Sequence, residues 1–285
     1  MPNDLPEILF QDIGDSSIQY LHYRGNGPKI VMLHATGFSP WLWHPIAREL
    51  SGQFEIIAPY FCDHRETDPE KGGLNWLQLA EDLYRLYEAL NIGRSFLVGH
   101  SMGATVITLA NALNSHIGEK MILIEPIFLP DDFYTTQITV DEHPLASKSI
   151  KRRNRWESRE EIKQDYIANS FFQPWDDEML DLYIKHGMTE IDDGGLELTC
   201  SPLREASLFM GGLKYDPWPF VEKVTCPVLV VEGEFSENRN LIDLKKIADT
   251  FPDGSYHMVE DAGHLIPMEK PGDILALIKS FLMAS

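Results

Sequence analysis

Residues 96–107 read FLVGHSMGATVI, and this stretch decides the fold of the chain. An apolar run of strand-forming residues enters Ser101, and a run of helix-forming residues leaves it. Gly99 and Gly103 stand two residues before and two residues after the serine. A side chain at either glycine would collide across so sharp a turn. The pattern G-x-S-x-G therefore predicts a nucleophile elbow, which lifts the Ser101 hydroxyl clear of a sheet.

The helix predicted after Ser101 has a chemical consequence. Its first N–H, that of Met102, has no partner inside the helix and is reinforced by the helix dipole. Such a group can stabilise the oxyanion that develops when a serine attacks a carbonyl carbon. Met102 is therefore a candidate oxyanion donor.

Length, charge and cysteine usage limit the class of protein. The chain has 285 residues, which fits one large domain or one domain with an insertion. Its formal net charge of −20 argues against nucleic acid and anionic membranes as partners, because both are polyanions. Cys62, Cys200 and Cys226 make no disulfide framework. Residues 1–17 lack the pattern of a signal peptide, so we predict a cytoplasmic protein. We also predict that its partner is a small-molecule substrate.

Strand and helix patterns alternate through most of the chain. Residues 7–11 and 17–23 read as an antiparallel hairpin at a sheet edge. Further strands are predicted at residues 29–34, 54–59, 120–125, 227–233 and 255–259. Helices are predicted at residues 41–50, 75–90, 240–251 and 271–283. This alternation indicates an α/β fold, a parallel sheet covered on both faces.

The alternation stops at Pro126. Residues 130–219 show no strand rhythm and carry helical patterns at 149–156, 158–172 and 176–186. We therefore expect a core made of residues 1–129 and 220–285, with a helical insertion at 130–219.

A candidate base follows the last predicted strand. His264 ends the run Asp-Ala-Gly-His at residues 261–264, at the carboxyl end of the predicted sheet. A histidine there can take the proton of Ser101.

Several motifs together resemble the α/β-hydrolase superfamily, in its serine-nucleophile, capped esterase/lipase-like branch. They are residues 33–38 (LHATGF), the elbow, the helical insertion and residues 261–264. The resemblance implies a mostly parallel eight-stranded sheet with flanking helices and a helical cap, and no cofactor or metal. It also implies that the backbone N–H of Thr36 pairs with that of Met102 as the oxyanion hole. Ala35 stands where the family usually has glycine.

The acid of the triad departs from the family pattern. Most members carry an aspartate three residues after the glycine that ends the seventh strand, and counting from Gly233 reaches Ser236. A serine cannot hold an imidazolium charge. We favour Glu125, at the end of the sixth strand, as in the haloalkane dehalogenase branch, with Ser236 as an auxiliary group. Glu237 is the alternative, and Glu234 or no acid at all stays open.

The pocket and one loop complete the candidates. Phe38, Trp41, His100 and Phe128 are predicted to line an aromatic substrate pocket. The run of basic residues is either a solvated helix face or a means of steering an anionic substrate. It comprises Lys148, Lys151, Arg152, Arg153 and Arg155.

The loop at residues 59–66 lacks both glycines that the family has there. Its Cys62, Asp63 and His64 complete no metal coordination sphere in the sequence.

The nucleophile type predicts the reaction. A serine at the elbow forms an acyl-enzyme, whereas dehalogenases and epoxide hydrolases use an aspartate there. We therefore predict a serine hydrolase that cleaves a small, largely apolar carboxylic ester. Lactones, thioesters and C–C bonds of β-diketone-like compounds use the same groups. The rival class is a receptor-like protein that binds a small ligand with little turnover.

Overall fold

The structure is a computed structural model that describes residues 5–62, 64–114 and 117–283. The strands are β1 (Glu7–Asp12), β2 (Ser17–Tyr23), β3 (Lys29–Leu33), β4 (Glu55–Pro59), β5 (Ser95–His100), β6 (Gly118–Ile124), β7 (Met188–Glu190), β8 (Leu196–Leu198), β9 (Val228–Gly233) and β10 (Gly254–Val259). The helices are α1 (His44–Leu50), α2 (Trp76–Leu90), α3 (Met102–Leu113), α4 (Asp131–Thr135), α5 (Ala146–Lys151), α6 (Arg159–Ala168), α7 (Asp177–His186), α8 (Pro202–Gly211), α9 (Trp218–Val221), α10 (Leu244–Thr250), α11 (Ile266–Glu269) and α12 (Pro271–Met283). Short 3₁₀ helices lie at Pro40–Trp43, Pro69–Lys71 and Glu237–Asn240.

Eight strands form one sheet in the order β1-β2-β4-β3-β5-β6-β9-β10. The β1–β2 and β2–β4 pairs are antiparallel, and the other pairs are parallel. The predicted edge hairpin and the mostly parallel sheet are both confirmed. Because the parallel strands run the same way, their carboxyl ends bring the elbow, the end of β6 and the end of β9 to one edge.

The strand sequences explain why both faces of the sheet are covered. In β3, Val31 and Leu33 pack into the hydrophobic cluster that contains α2 and α3 side chains. Ile30 and Met32, which alternate with them, pack into the cluster on the opposite face with α1 and α12 side chains. A continuous apolar run is what a strand buried on both faces requires.

Helix ends follow local chemistry. Asn75 caps α2 by accepting a hydrogen bond from the Leu77 N–H, and Asp176 caps α7 through the Glu178 and Met179 N–H groups. The predicted helix at residues 271–283 coincides with α12. The predicted helix at 240–251 is shorter in the structure, because a 3₁₀ turn and α10 share that stretch.

The insert segment (residues 130–219) corrects the prediction of a purely helical insertion. It contains a two-stranded antiparallel hairpin, β7–β8, besides its helices. The helix predicted over 149–156 ends at Lys151, and Trp156 instead pairs with Leu196 beside the hairpin. The segment's aromatic cluster packs on Leu265 and Met268, so it lies against the loop that carries His264.

In the part of the chain that the structure describes, no helix is both long and apolar enough to cross a membrane.

Candidate active site

The turn between β5 and α3 holds Ser101 in a strained conformation. Its φ of 54° and ψ of −118° lie outside the helical and extended regions. A Cβ on Gly99 would lie 2.6 Å from the Ala104 Cα, and one on Gly103 would lie 2.4 Å from the Leu33 carbonyl oxygen. Both positions therefore require glycine, as the sequence predicts.

Three side chains form a continuous hydrogen-bonded chain at the carboxyl end of the sheet. The Ser101 Oγ lies 3.1 Å from the His264 Nε2. The His264 Nδ1 lies 3.0 Å from the Glu125 Oε2 on the other side of the ring. The structure thus brings together a hydroxyl, an imidazole and a carboxylate in the order that proton transfer from a serine requires.

Glu125 is the most enclosed member of this chain, with its side chain 1% exposed. Its two oxygens accept hydrogen bonds from the Gly233 N–H and the Ser236 hydroxyl, both at 2.7 Å, besides the contact with His264. Its φ of 51° is in the left-handed region, which is uncommon for a residue other than glycine. The carboxylate is therefore fixed between β9 and the histidine by three donors.

The other carboxylates considered for this role lie elsewhere. Glu237 begins the 3₁₀ helix at Glu237–Asn240 and is exposed, and among the described residues no hydrogen bond joins it to His264. Glu234 accepts a hydrogen bond from the Asp261 N–H at 3.1 Å, so it supports the loop before the histidine. Of these candidates, the structure brings Glu125 to His264.

Asn238 is a contact that the sequence reasoning missed. Its side-chain amide lies 2.9 Å from the His264 Nδ1, the same atom that contacts Glu125. Asn238 stands two residues after the position where the family usually has its acid. Nothing in the sequence around it marks it as a site residue. Only the path of the chain after β9 brings it to the ring.

The turn after β3 is pinned by His34. The His34 Nδ1–H donates to the Ala35 carbonyl at 2.8 Å, and the His34 Nε2 accepts from the Phe61 N–H at 2.9 Å. Burial lowers the pKa of His34 to about 4, so the ring is neutral at pH 7. This histidine therefore holds the backbone that leads to Thr36.

The two candidate oxyanion donors lie on adjoining elements. A Cβ on Gly103 would be 2.7 Å from the His34 carbonyl oxygen, so the first turn of α3 touches the start of the turn that carries Thr36. Within residues 5–62, 64–114 and 117–283, neither the Thr36 N–H nor the Met102 N–H has a hydrogen-bond acceptor. Both side chains are buried.

His100 supports the loop of the candidate base. Its Nε2–H donates to the His264 carbonyl at 2.9 Å, and the two rings lie 5.3 Å apart. Burial lowers the pKa of His100 to about 3, with a smaller contribution from the neighbouring His264. The ring is therefore neutral and fixes the backbone beneath His264.

A cavity of about 10 Å³ lies beside the site, which is room for a single water molecule. Its lining residues are His34, Ala35, Phe38, Leu42, Trp43, His100, Pro267 and Met268. Phe38 also packs on Trp175 and Tyr183 of the insert segment, with ring centroids 5.7 and 5.5 Å apart. The insert segment thus contacts the core beside this cavity.

Trp41 and Phe128, which are also predicted to line a substrate pocket, are not part of the lining of this small cavity. Trp41 stacks on His186 at the end of α7, with ring centroids 3.6 Å apart. Phe128 packs edge-on against Trp218 and faces a separate open groove of about 610 Å³. Of the four residues predicted to line a substrate pocket, Phe38 and His100 line the small cavity, and the lining of a substrate pocket stays a prediction.

The loop at residues 59–66 is held by a buried ionic network. Asp82 of α2 accepts hydrogen bonds from His64 at 2.9 Å and from Arg65 at 2.6 Å. Burial by itself raises the pKa of Asp82, but these two partners outweigh it and lower the pKa to about 2. Asp63 lies outside the described residues, and within those residues no group of three or more His, Cys, Asp or Glu side chains is placed to hold a metal ion.

One member of the basic run points inward. Arg153 and Arg155 pair with carboxylates at the surface, Arg153 with Glu161 and Asp165 and Arg155 with Asp193.

Arg152 is instead partly buried, with its side chain 28% exposed, and its guanidinium donates to the Glu205 carboxylate of α8 at 2.9 Å. A Cβ on Gly37 would lie 2.3 Å from the Glu205 Oε1, so this carboxylate rests directly on the turn that carries Thr36. The sequence signals neither Glu205 nor its contact with this turn.

Comparison with known proteins places these features in a family. A family model described as "Alpha/beta hydrolase family" matches residues 30–277. The 2-(acetamidomethylene)succinate hydrolase of Mesorhizobium japonicum is 27% identical over 276 residues, which cover 96% of this chain and 94% of that protein.

Solved structures agree with this match. The crystal structure of E-2-(acetamidomethylene)succinate hydrolase superposes with a TM-score of 0.82 at 23% identity, covering 98% of this chain and all of that one. A thermophilic esterase from Thermogutta terrifontis superposes with a TM-score of 0.70 at 20% identity, covering 97% of this chain and 98% of the esterase. The fold and the family match agree, and the chain belongs to the alpha/beta hydrolase family.

Proposed function

We propose that the protein is a serine hydrolase that cleaves a carboxylic ester through an acyl-enzyme. The observation that carries this proposal is the hydrogen-bonded chain from the Ser101 hydroxyl through His264 to Glu125, with contacts of 3.1 and 3.0 Å. A hydroxyl, a base and a buried carboxylate in this arrangement activate a serine for attack on a carbonyl carbon.

The reaction follows from these contacts in two halves. In the first, Ser101 Oγ attacks the ester carbonyl carbon while its proton passes to His264 Nε2. The developing oxyanion accepts hydrogen bonds from the Thr36 and Met102 N–H groups. Glu125 stabilises the imidazolium, which then protonates the leaving alkoxide.

In the second half, His264 takes a proton from water. The hydroxide adds to the acyl carbon, and the tetrahedral intermediate collapses with loss of Ser101 Oγ, which regains its proton from Nε2. The same groups serve a lactone, a thioester or a β-diketone-like C–C substrate.

We also propose that the insert segment acts as a cap that moves to admit the substrate. The cavity beside the site, of about 10 Å³, is too small for an organic substrate. The aromatic contact of Phe38 with Trp175 and Tyr183 joins the core to the insert segment. Opening there would admit a small substrate between largely apolar walls.

Covalent labelling with a fluorophosphonate, read by intact mass, tests the proposed reaction. We expect stoichiometric labelling of the wild type and none of Ser101→Ala, together with turnover of p-nitrophenyl esters by the wild type alone. A folded wild-type protein that is neither labelled nor active would refute the proposal. It would favour the small-ligand binding protein instead.

A second candidate is a hydrolase of the same mechanism whose substrate carries a carboxylate. Arg152 favours it, because its partly buried guanidinium lies against Glu205 at the turn that carries Thr36. A guanidinium is well shaped for bidentate binding of a carboxylate. The relative from Mesorhizobium japonicum is named for a succinate derivative.

A matched pair of substrates separates the two candidates. We would compare kcat/KM for p-nitrophenyl butyrate and for the p-nitrophenyl monoester of succinate, in the wild type and in Arg152→Lys. A preference for the charged ester that falls in Arg152→Lys supports the anionic substrate. A preference for butyrate in both proteins supports the apolar one.

A further inference from the structure

Two side chains contact the same nitrogen of the candidate base. The Glu125 Oε2 lies 3.0 Å from the His264 Nδ1, and the Asn238 side-chain nitrogen, Nδ2, lies 2.9 Å from the same atom. This nitrogen carries at most one hydrogen atom. The two neighbours therefore either share that hydrogen or favour different tautomers of the ring.

The chemistry at Ser101 decides between these arrangements. For the His264 Nε2 to take the serine proton, the ring hydrogen must lie on Nδ1. A carboxylate is an acceptor, so Glu125 accepts that hydrogen. Asn238 then faces an N–H as well, and it must present its carbonyl oxygen. An amide reaches this orientation by turning over in place, because its oxygen and nitrogen occupy equivalent positions.

Three hydrogen bonds hold the backbone of Asn238 in place. Its N–H lies 3.3 Å from the Ser236 Oγ, and its carbonyl accepts from the Leu241 and Ile242 N–H groups, both at 2.8 Å. Ser236 also donates to Glu125 at 2.7 Å. One serine thus connects the two groups that meet at the ring.

We propose that Asn238 is a positioning residue, whose amide oxygen shares the His264 Nδ1–H with Glu125 and so fixes the active tautomer. The proposal rests on the serine-hydrolase function proposed above. During acylation the amide dipole adds to the stabilisation of the imidazolium by Glu125. Because Asn238 contacts neither Ser101 nor the position of the attacked carbonyl, it acts through His264.

Two other ionisable groups near the His264 ring do not contact its Nδ1. His100 lies 5.3 Å from the His264 ring and is kept neutral by burial, which lowers its pKa to about 3. Glu269 accepts from the backbone N–H groups on both sides of His264. Asn238 is therefore the contact at Nδ1 where a charge can be introduced without removing Glu125.

The first experiment changes Asn238 alone. We expect Asn238→Ala to lower kcat about ten-fold with KM within about two-fold, as loss of a hydrogen bond to a charged group requires. The acid limb of the kcat/KM profile should move to lower pH in this variant. In Asn238→Asp it should move about one unit higher, because the added carboxylate favours the imidazolium. Asn240→Ala and Asn240→Asp, in the same exposed 3₁₀ helix, are the matched controls.

The second experiment moves the acid. Glu125→Gln removes the charge at Nδ1, and Asn238→Asp in the same protein supplies a new carboxylate beside the same atom. We expect the double variant to recover at least about ten-fold in kcat over Glu125→Gln, since an adjacent carboxylate restores the active tautomer. A residue that only stabilises the loop would give no such rescue.

The outcomes separate this inference from the proposed function. A wild type that resists the fluorophosphonate overturns both. A wild type that is labelled, with Asn238→Ala at the wild-type rate and no rescue by Asn238→Asp, overturns the role of Asn238 alone. Opposite shifts of the acid limb in the two variants, with midpoints of thermal unfolding close to the wild type, support it. If Asn238→Ala does not fold, the Asn238→Asp profile and the rescue decide.

Discussion

Replacement of Glu125 by glutamine is the perturbation that tests the site most directly. The substitution keeps the shape of the side chain and removes its charge. Three donors converge on the carboxylate, from Gly233 and Ser236 at 2.7 Å and from His264 at 3.0 Å. A glutamine offers one oxygen and one NH₂ group to these three donors.

The consequence at the histidine follows from that count. In the wild type, the Glu125 Oε1 accepts from the Gly233 backbone N–H, which can only donate. In the variant, the glutamine oxygen must therefore lie at this position. The NH₂ group is then directed at Ser236, which can accept, and at the His264 Nδ1. Donation to Nδ1 selects the tautomer with its hydrogen on Nε2, which cannot take the proton of Ser101.

The loss should therefore be large in kcat and modest in stability. We expect kcat to fall about 10³- to 10⁴-fold, equal to about 4 to 5.5 kcal/mol of transition-state stabilisation. The free energy of unfolding should fall by about 1–2 kcal/mol, because one buried hydrogen bond is weakened. KM should change little, because Glu125 contacts the histidine and not the substrate.

The assay is steady-state hydrolysis of p-nitrophenyl acetate and butyrate between pH 5 and 9, with fluorophosphonate labelling rates beside it. Glu237→Gln is the matched control, since it makes the same chemical change at an exposed carboxylate in the next loop. Its kcat should stay within a few-fold of the wild type. If Glu125→Gln retains wild-type kcat, or if Glu237→Gln falls as far, the assignment of the acid to β6 is wrong.

Two further predictions concern stability. Gly37 has a φ of 79° and a Cβ there would lie 2.3 Å from the Glu205 Oε1, so Gly37→Ala should lower the free energy of unfolding by about 1–3 kcal/mol. Thermal unfolding checks this, and a loss no larger than that of Gly52→Ala, which meets open space, would contradict it.

Because the pKa of Asp82 is lowered to about 2, its ionised form stabilises the fold above about pH 4. That contribution, about 2 kcal/mol, should disappear as the pH falls from about 4 to about 2. We would measure the free energy of unfolding by urea at several pH values. In Asp82→Asn this free energy should depend less on pH below about pH 4, and an unchanged dependence would refute the role of the pair with Arg65.

Elements with a strong local signal were predictable from the sequence. The strands at the centre of the sheet are apolar on both faces, and α12 begins at Pro271 and ends where its apolar pattern ends. The β7–β8 hairpin escaped detection because its strands have three residues each, too few to show a period of two. Its turn at residues 192–195 carried a signal, but the flanking runs were too short to be recognised as strands.

In the insert segment, contacts with distant residues end a helix that the sequence predicts to be longer. A helical pattern at residues 149–156 ends early, because the Asn154 side chain accepts from the Leu198 N–H and Trp156 pairs with Leu196. These contacts favour an extended chain over the local preference for helix. The inward turn of Arg152, within a run of similar basic residues, follows from the same break at Lys151.

The placement of the acid shows why one part of the site stayed open at the sequence level. Strands β6 and β9 are parallel neighbours, with Ile124 opposite Val231, so both end at the same edge of the sheet. A carboxylate from either end can therefore reach a histidine in the loop after β10. The sequence alone cannot say which one does, because the answer depends on the direction of the chain after Gly233.

In the structure, the carboxylate beside His264 comes from the end of β6, and a hydroxyl stands after β9. Ser236 occupies the position where the family usually has an aspartate, and its hydroxyl donates to Glu125 at 2.7 Å instead of holding the histidine itself. Glu125 reaches the ring from β6 with a left-handed backbone, a φ of 51°, which turns the side chain toward β9. The His264 Nδ1 thus has a buried carboxylate from the end of β6 at 3.0 Å, and that carboxylate accepts a hydrogen bond from a hydroxyl that follows β9. The double variant Glu125→Gln with Asn238→Asp tests whether a carboxylate that follows β9 can also serve the histidine.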